Sequence, residues 1–209
     1  MLQKQGIYAI TPDENDSAKL VRDVEEVLQA GVACLQYRNK QTDAAKQLEQ
    51  AGLLRALCAL YDVPLIVNDD VQLAFAVDAD GVHLGGDDGS IAQARELLGP
   101  GKIIGASCYN DVQLAKRAIA EGATYVAFGA VFASTTKPHA PSVALDVFGQ
   151  ASQFGVPVVA IGGITPDNGR QVIAAGADLL AVISGIFAAP DLTQAVRAYQ
   201  QCFENDDEN

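Results

Sequence analysis

Short apolar runs alternate with longer alanine-rich segments along the whole chain, and the two kinds of segment differ in period. The short runs are rich in β-branched residues, which is typical of buried strands. The longer segments repeat apolar residues at intervals of three and four, which predicts helices. Eight strands are predicted, at residues 6–11, 33–38, 64–68, 81–84, 102–107, 125–129, 157–162 and 179–184.

Four helices are predicted between these strands from their apolar spacing and their end signals. Gly31 follows the first of them in the position of a helix C-cap. Thr42 precedes the second and is predicted to be its N-cap. The four segments are 16–31, 42–62, 110–122 and 165–176.

The strands and helices follow one another in a repeating unit of about 25 residues. Eight such units in 209 residues predict an α/β fold of one domain, a closed (β/α)8 TIM barrel, over residues 1–203. Residues 204–209 are predicted to form an acidic C-terminal tail. An open doubly wound sheet is the alternative, but no G-x-G-x-x-G turn follows the first strand.

Charge and composition limit the classes of function. The net charge of −12 argues against a general nucleic-acid binder, which usually presents a basic surface. No apolar run is long enough for a membrane span, and the N-terminus lacks the apolar core of a signal peptide. Four scattered cysteines and two histidines argue against a zinc site. Free thiols favour a reducing, cytoplasmic location.

The predicted barrel places its active site at the carboxyl ends of the strands. Gln36 and Arg38 are two positions apart at the end of the second strand, so they share a face. Lys40 continues this face if the backbone stays extended. An arginine and a lysine together can hold a phosphate or a pyrophosphate. A surface ion pair with nearby acids explains them equally well.

Carboxylates follow the third and fourth strands, which should be neighbours in a barrel. Asp69 and Asp88 would face the basic pair, and Mg²⁺ usually takes one or two carboxylates together with substrate phosphates and water. We therefore predict a metal site at these two residues. Asp70 and Asp87 are assigned to solvent or to helix caps.

Glycines follow the last two strands, in "GGIT" and "SGI". Many barrels bind phosphate at this position, because glycines let backbone N–H groups approach an anion. Ordinary structural turns are the alternative. The phosphate interpretation gives the rim two anion-binding regions, one suited to a pyrophosphate and one to a monophosphate.

The connection at residues 130–142 is long for a loop between a strand and a helix, so a lid is predicted. A solvated loop is the alternative. His83 lies inside a strand and is predicted to be a hydrogen-bonded core histidine. Neither His83 nor His139 has a serine or cysteine partner that the sequence can place, so a nucleophile triad is unsupported. Nothing marks Cys108 as an activated thiol.

These motifs together resemble the thiamine phosphate synthase family, also called thiamine-phosphate pyrophosphorylase. The resemblance extends over almost the whole chain. Its stretches are "LQYRNK", "IVNDDVQLAFAVDADGVHLGGDD", "IIGAS", "YVAFGAVFASTTKP" and "VAIGGIT". It implies a transferase of thiamine biosynthesis that uses Mg²⁺. The implied reaction joins hydroxymethylpyrimidine pyrophosphate to thiazole phosphate and gives thiamine monophosphate and pyrophosphate.

The resemblance also implies roles for individual residues. Asp69 and Asp88 match the Mg²⁺ ligands. The implied catalytic residues are Arg38, Lys40, Ser107 and Lys137. The implied substrate-binding residues are Gln36, Tyr37, Arg38, Asn39, Lys40, Asn68, Ser107, Ser134, Thr135, Thr136, Lys137, Gly163, Ile183 and Ser184.

Two departures from the family pattern affect the lid. Ser134 stands where the family usually has threonine, a change that keeps the hydroxyl group, and "PSVAL" lacks the usual Gly-Leu. A related thiazole tautomerase and a non-catalytic phosphate-binding barrel are the alternative functions, although neither needs the Arg38, Lys40, Asp69 and Asp88 set. Aromatic and carboxylated thiazole phosphates both fit the resemblance, and a homo-oligomer is left open. No nucleic-acid or membrane partner is expected.

Overall fold

A computed structural model of the protein describes residues 2–133 and 143–204. Within these ranges eight parallel strands pair in chain order, and β8 pairs with β1 to close the barrel. The predicted fold class is therefore confirmed. The strands are β1 (Gly6–Ile10), β2 (Cys34–Tyr37), β3 (Leu65–Asn68), β4 (Gly81–Leu84), β5 (Ile103–Tyr109), β6 (Tyr125–Phe128), β7 (Val158–Ile161) and β8 (Leu179–Val182).

Helices cover the outside of the barrel and alternate with the strands. Short 3₁₀ turns at Ser152–Phe154 and Gln201–Phe203 follow two of them. The helices are α1 (Ser17–Ala30), α2 (Ala44–Leu60), α3 (Val71–Ala76), α4 (Ile91–Leu98), α5 (Val112–Ala120), α6 (Asp146–Ala151), α7 (Pro166–Ala174), α8 (Ser184–Phe187) and α9 (Leu192–Gln200).

Local chemistry explains where the first two helices begin and end. Gly31 ends α1 with φ at 96°, and its N–H donates to the carbonyl of Leu28, as the sequence predicts. The prediction of Thr42 as the N-cap of α2 was wrong. Asp43 is the N-cap, because its carboxylate accepts a hydrogen bond from the N–H of Lys46.

The strands divide their side chains between two apolar cores. In β3, for example, Leu65 and Val67 point outward and pack beneath the helices, whereas Ile66 points into the barrel. The interior core is small, and polar side chains occupy the rest of the barrel. The interior apolar residues are Leu2, Tyr8, Ile10, Ala33, Cys34, Ile66, Ile103, Tyr125, Ala127, Val159, Leu179 and Ala181.

Two further features bear on the sequence predictions. All four cysteines are buried and free. None of the helices in residues 2–133 and 143–204 is long and apolar enough to cross a membrane. Ser134, Thr135, Thr136, Lys137 and His139 lie outside the described residues, as do most of the predicted lid and residues 205–209 of the predicted tail.

Candidate active site

The β2–α2 loop is held against β1 by Thr11, which is fully buried. Its hydroxyl accepts a hydrogen bond from the N–H of Arg38 at 2.9 Å and donates one to the carbonyl oxygen of the same residue at 2.9 Å. The Thr11 N–H also donates to the carbonyl of Gln36. The Thr11 side chain thus extends the hydrogen bonding between β1 and β2 beyond the end of β2. It fixes the backbone at Arg38, where the loop leaves the barrel.

Asp13 aligns the two basic residues of this loop. Its Oδ1 atom accepts a hydrogen bond from Nη1 of Arg38 at 3.1 Å and another from the backbone N–H of Lys40 at 2.7 Å. The Arg38 side chain is 29% exposed and that of Asp13 is 25% exposed, so the pair lies at the rim rather than in bulk solvent. Asp13 therefore orients the Arg38 side chain and holds the backbone at Lys40.

Lys40 reaches across to the end of β3. Its Nζ atom lies 2.9 Å from Oδ2 of Asp69. Both residues line a cleft of about 180 Å³ between the β2–α2 and β3–α3 loops. The residues that line it are Tyr37, Arg38, Asn39, Lys40, Gln47, Asn68, Asp69, Asp70 and Leu73. Of the basic and acidic residues that the sequence placed at neighbouring strand ends, Arg38, Lys40 and Asp69 meet in this cleft, whereas Asp88 is not among the residues that line it.

The adjacent carboxylates of Asp69 and Asp70 separate because the backbone turns between them. Asp69 has φ at 64°, in the left-handed region, and its N–H donates to the carbonyl of His83 in β4 at 2.8 Å. Asp70 caps α3, since its Oδ1 atom accepts from the N–H of Leu73 at 2.9 Å. Of the two alternatives predicted for Asp70, solvent or a helix cap, the structure shows the helix cap.

Asp88 lies in the turn that follows β4. Its Oδ2 atom accepts a hydrogen bond from the N–H of Gly85 at 2.9 Å. A Cβ atom at Gly85 would lie 2.7 Å from this oxygen, so glycine leaves room for the carboxylate. The other oxygen, Oδ1, makes no hydrogen bond to any residue within 2–133 and 143–204, and it is available to a ligand.

A chain of hydrogen bonds crosses the barrel interior. Nε2 of Gln36 donates to the Tyr8 hydroxyl at 2.8 Å, and that hydroxyl lies 2.7 Å from the hydroxyl of Tyr125. The Tyr125 hydroxyl lies 2.8 Å from Nδ1 of His83, whose Nε2 lies 2.9 Å from Oγ of Ser107. The prediction of a hydrogen-bonded core histidine is confirmed.

The barrel interior keeps His83 neutral. Desolvation lowers the pKa of its imidazole to about 4, and the Asp88 carboxylate opposes this shift only in part. Burial likewise raises the pKa values of Tyr8 and Tyr125 well above the ordinary value for tyrosine. The chain is therefore made of neutral groups at physiological pH.

Tyr37 and Asn39 line the cleft, but their polar side-chain atoms serve the fold. The Tyr37 hydroxyl donates to Oε1 of Gln50 at 2.9 Å. Nδ2 of Asn39 donates to the same oxygen at 3.1 Å and to the carbonyl of Glu14 at 2.7 Å. Gln50 is fully buried, so these contacts anchor the loop to α2.

Glycines bring the β7–α7 loop close to the segment that follows β6. A Cβ atom at Gly163, where φ is 64°, would lie 2.6 Å from the carbonyl oxygen of Ala133 and 2.7 Å from that of Phe132. After the neighbouring strand β8, Ile183 precedes α8, which begins at Ser184. A short helix after β8 is the feature that phosphate-binding barrels use.

Some residues of the site were not found from the sequence. Asp13 follows β1 by three residues, and applying the strand-end rule to β1 would have found it. Thr11, Tyr8 and Tyr125 act through hydrogen bonds to distant parts of the chain, for which the sequence gives no local signal.

Comparison with known proteins identifies the family. The family model of thiamine monophosphate synthase matches residues 7–186. The chain belongs to the thiamine monophosphate synthase family. A thiamine-phosphate synthase of Methylobacillus flagellatus is 55% identical over 199 residues, which is 95% of this chain and 95% of that protein. One from Aromatoleum aromaticum is 53% identical over 201 residues, covering 96% of this chain and 97% of the relative.

A solved structure agrees with this assignment. The thiamine phosphate pyrophosphorylase of Pyrococcus furiosus is 36% identical to this chain, with a TM-score of 0.83 and 95% of each chain covered. The resemblance to the thiamine monophosphate synthase family is thus confirmed, together with the transferase activity for which the family is named. The roles of the individual residues remain predictions.

Proposed function

We propose that this chain couples hydroxymethylpyrimidine pyrophosphate with thiazole phosphate and forms thiamine monophosphate and pyrophosphate. One observation supports the assignment of the site above all. Arg38 and Lys40, held by Asp13, face Asp69 across one cleft at the carboxyl ends of the strands. A cleft with two cations opposite a carboxylate suits a ligand that brings both a diphosphate and a divalent cation.

The donor set fits Mg²⁺. Asp69 and Asp88 follow the paired strands β3 and β4, and the N–H of Asp69 donates to the carbonyl of His83 on β4. No group of three or more acidic, histidine or cysteine residues suited to a metal occurs within the described ranges. Mg²⁺ commonly combines one or two carboxylates with phosphate oxygens and water, so two carboxylates suffice.

The two carboxylates would hold the ion, and the basic residues would hold the leaving group. When bound, Mg²⁺ supplies positive charge that stabilises a departing pyrophosphate. Arg38 and Lys40 add charge-assisted hydrogen bonds to the same group. We assign Ser107 a further hydrogen bond to this substrate and keep Lys137, outside the described residues, as a predicted fourth contact.

The reaction then needs positioning more than proton transfer. The C–O bond of the pyrimidine methylene breaks, its electron pair leaves with pyrophosphate, and the electron-rich aminopyrimidine stabilises the resulting cation. The thiazole nitrogen attacks that carbon and forms the new C–N bond. Gln36 and Asn68, at the interior ends of β2 and β3, would orient the pyrimidine. This scheme requires no protein nucleophile.

The thiazole phosphate would bind on the opposite side of the barrel mouth. Gly163, Ile183 and Ser184 belong to the loops after β7 and β8, and the absence of a side chain at Gly163 allows close approach of backbone. Ser134, Thr135 and Thr136, outside the described residues, are the predicted lid contacts to the same phosphate. Tyr37 and Asn39 would act through their backbone, because their side chains anchor the loop.

A reconstitution with four reaction mixtures tests the activity. The protein is incubated with both substrates and Mg²⁺, with both substrates and EDTA, and with each substrate alone with Mg²⁺. We expect thiamine monophosphate and pyrophosphate only in the first mixture. A thiazole tautomerase would alter the thiazole without releasing pyrophosphate, and a binding protein would release none. Either result with folded protein would refute the proposal.

The remaining predictions concern the setting of the enzyme. The buried free thiols agree with the proposed cytoplasmic location. The boundary between a barrel domain at 1–203 and a tail at 204–209 also stays a proposal. Homo-oligomer formation is tested by measuring the mass of the protein in solution.

A further inference from the structure

The hydrogen-bond chain inside the barrel ends at two residues for which contacts to the pyrimidine pyrophosphate are proposed. One end is Gln36 and the other is Ser107. The three groups between them are Tyr8, Tyr125 and His83, and the proposed reaction gives none of them a chemical role. Because Tyr8 and Tyr125 are buried, this series of neutral groups has few ways to distribute its protons, and it constrains what its two ends can offer.

The hydrogen-bond chain has two arrangements of protons in which every donor has an acceptor. One arrangement becomes the other when the direction of every hydrogen bond is reversed. The orientation of the Gln36 amide selects one of them, because Nε2 rather than Oε1 faces Tyr8. The Tyr8 hydroxyl accepts this bond and must donate its own proton to Tyr125. Tyr125 then donates to Nδ1 of His83. A neutral imidazole that accepts at Nδ1 carries its proton on Nε2 and donates it to Ser107.

Mixed arrangements leave a buried proton without an acceptor. If Nδ1 of His83 carried the proton while Gln36 kept its orientation, Tyr125 would donate to Tyr8. The Tyr8 hydroxyl would then accept two hydrogen bonds, and neither of its partners among the described residues, Gln36 and Tyr125, would accept its own proton. Tyr8 is 1% exposed, so bulk solvent does not reach it. Such a buried unsatisfied group is costly.

Packing shows that this route across the barrel is built into the sequence. Tyr125 on β6 reaches His83 on β4 by passing over Gly105 on the strand between them, and any Cβ atom at Gly105 would collide with its ring. The rings of Tyr125 and His83 stack with centroids 5.5 Å apart. Glycine at position 105 thus opens the path that the hydrogen bonds follow.

We propose that Tyr8, Tyr125 and His83 form a directed chain that fixes which hydrogen-bonding group each end offers to the substrate. Gln36 donates one of its two amide N–H groups to Tyr8, which leaves its Oε1, an acceptor suited to an amino group, and its second N–H for the substrate. Ser107 accepts from His83 and presents its own O–H, a donor suited to a phosphate oxygen. The three residues are positioning residues, and their role in binding rests on the proposed function.

The tautomer of His83 tests the direction without any assay of activity. The chain has only two histidines, so ¹⁵N-histidine labelling gives two sets of ring signals, and His139→Gln assigns them. We expect His83 to carry its proton on Nε2 and to leave Nδ1 bare in the full-length protein. A proton on Nδ1 would mean that the hydrogen bonds run in the opposite direction. That result would overturn the proposal, whether or not the enzyme couples its substrates.

Double-mutant cycles test the effect at the substrate. Tyr125→Phe removes the donor to His83, so kcat/KM for the pyrimidine pyrophosphate should fall roughly tenfold, the effect of losing one hydrogen bond to a charged group. In the Ser107→Ala background the same change should cost no more than about twofold, because the donor at the end of the chain is already gone. Tyr199→Phe is the matched control, because its buried hydroxyl bonds to the carbonyl of Ile164 and takes no part in this chain.

The control separates direction from packing. Tyr199→Phe removes a buried tyrosine hydroxyl but leaves the bonds among Tyr8, Tyr125, His83 and Ser107 intact. Its effect should therefore be additive with that of Ser107→Ala. If the losses of kcat/KM caused by Tyr125→Phe and Ser107→Ala were fully additive in the double variant, the proposal would be overturned. An inactive wild-type enzyme would refute the proposed function while leaving the tautomer measurement to decide the direction.

Discussion

Nζ of Lys40 lies 2.9 Å from Oδ2 of Asp69, so a proposed pyrophosphate ligand and a proposed metal ligand contact each other directly. The lysine side chain is 57% exposed and the aspartate 27%, and exposed ion pairs of this kind contribute at most about 1 kcal/mol to stability. The pair can therefore separate at little cost and exchange its contacts for those of a charged ligand. Its importance lies in binding rather than in folding.

Replacing Asp69 tests the metal assignment. Asp69→Asn should lower kcat/KM by about 100-fold or more and raise the Mg²⁺ concentration needed for half-maximal rate, because it removes the charge of one ligand. Asparagine tolerates the left-handed backbone at this position, so the fold should be kept. Steady-state rates measured across a Mg²⁺ titration provide the check.

Asp70 offers a control one residue away. Asp70→Asn makes the same chemical change at the cap of α3, where asparagine caps as well as aspartate, so activity and stability should both stay near wild type. Asp70→Ala should lose about 1 kcal/mol of unfolding free energy and keep its activity. Equal losses of activity in Asp69→Asn and Asp70→Asn would contradict a specific role for Asp69.

Asp13 is predicted to act through Arg38 and Lys40. Asp13→Ala removes two hydrogen bonds to the loop, so we expect kcat/KM for the pyrimidine pyrophosphate to fall roughly tenfold, with little change in KM for the thiazole phosphate. Asp23→Ala breaks an ion pair with Lys19 on the exposed face of α1 and should leave both constants unchanged. If Asp13→Ala left both constants unchanged, Arg38 would not need its hydrogen bond to Asp13.

The barrel could be predicted because its pattern is local. Each strand is a short apolar run, and β4 at Gly81–Leu84 has the predicted bounds. Helices such as α3 and α8 were not predicted, since six and four residues are too few to establish a helical period. The N-cap of α2 was misplaced by one residue, because threonine and aspartate are adjacent and both can cap.

The candidate site could be predicted where one rule was enough. The rule that catalytic residues follow parallel strands placed Arg38, Lys40 and Asp69 at one rim, and they share a cleft. The Tyr8–Tyr125 bond joins residues 117 positions apart. Each tyrosine alone resembles an ordinary strand residue, and only the register of the closed barrel brings their hydroxyl groups together.

Gly163 should matter for the thiazole phosphate. Gly163→Ala places a Cβ atom against the carbonyl oxygens of Phe132 and Ala133, so the β7–α7 loop must move. We expect KM for the thiazole phosphate to rise tenfold or more, while KM for the pyrimidine pyrophosphate changes little. Initial rates with each substrate varied in turn separate the two constants.

Gly155→Ala controls for backbone strain. Gly155 also has a left-handed φ, 76°, but no heavy atom outside its own neighbourhood lies within 4 Å of an added Cβ. The variant should lose about 1 kcal/mol of stability without a change in either KM. If Gly155→Ala raised KM for the thiazole phosphate as much as Gly163→Ala, general strain and not crowding at the site would be the cause.

His83 should make the protein sensitive to acid. Its pKa is lowered from 6.5 to about 4 by burial in the folded protein, so the unfolded chain binds a proton more readily between these values. Above pH 6.5 the ring is neutral in both states and does not reduce the free energy of unfolding. As the pH falls towards 4, the unfolded chain takes up the proton and the folded protein does not, so the free energy of unfolding falls by about 3 kcal/mol. Urea unfolding from pH 7 to pH 4 measures this loss.

Two variants isolate the histidine from the many carboxylates that titrate in the same range. His83→Gln removes the titrating ring, so its unfolding free energy should fall less steeply between pH 6.5 and pH 4 than that of the wild type, even if it is lower at pH 7. Ser107→Ala breaks the bond at Nε2 but keeps the buried ring, and it should retain the wild-type slope. Identical slopes in His83→Gln and the wild type would mean that the imidazole binds its proton equally well in the folded and unfolded chains.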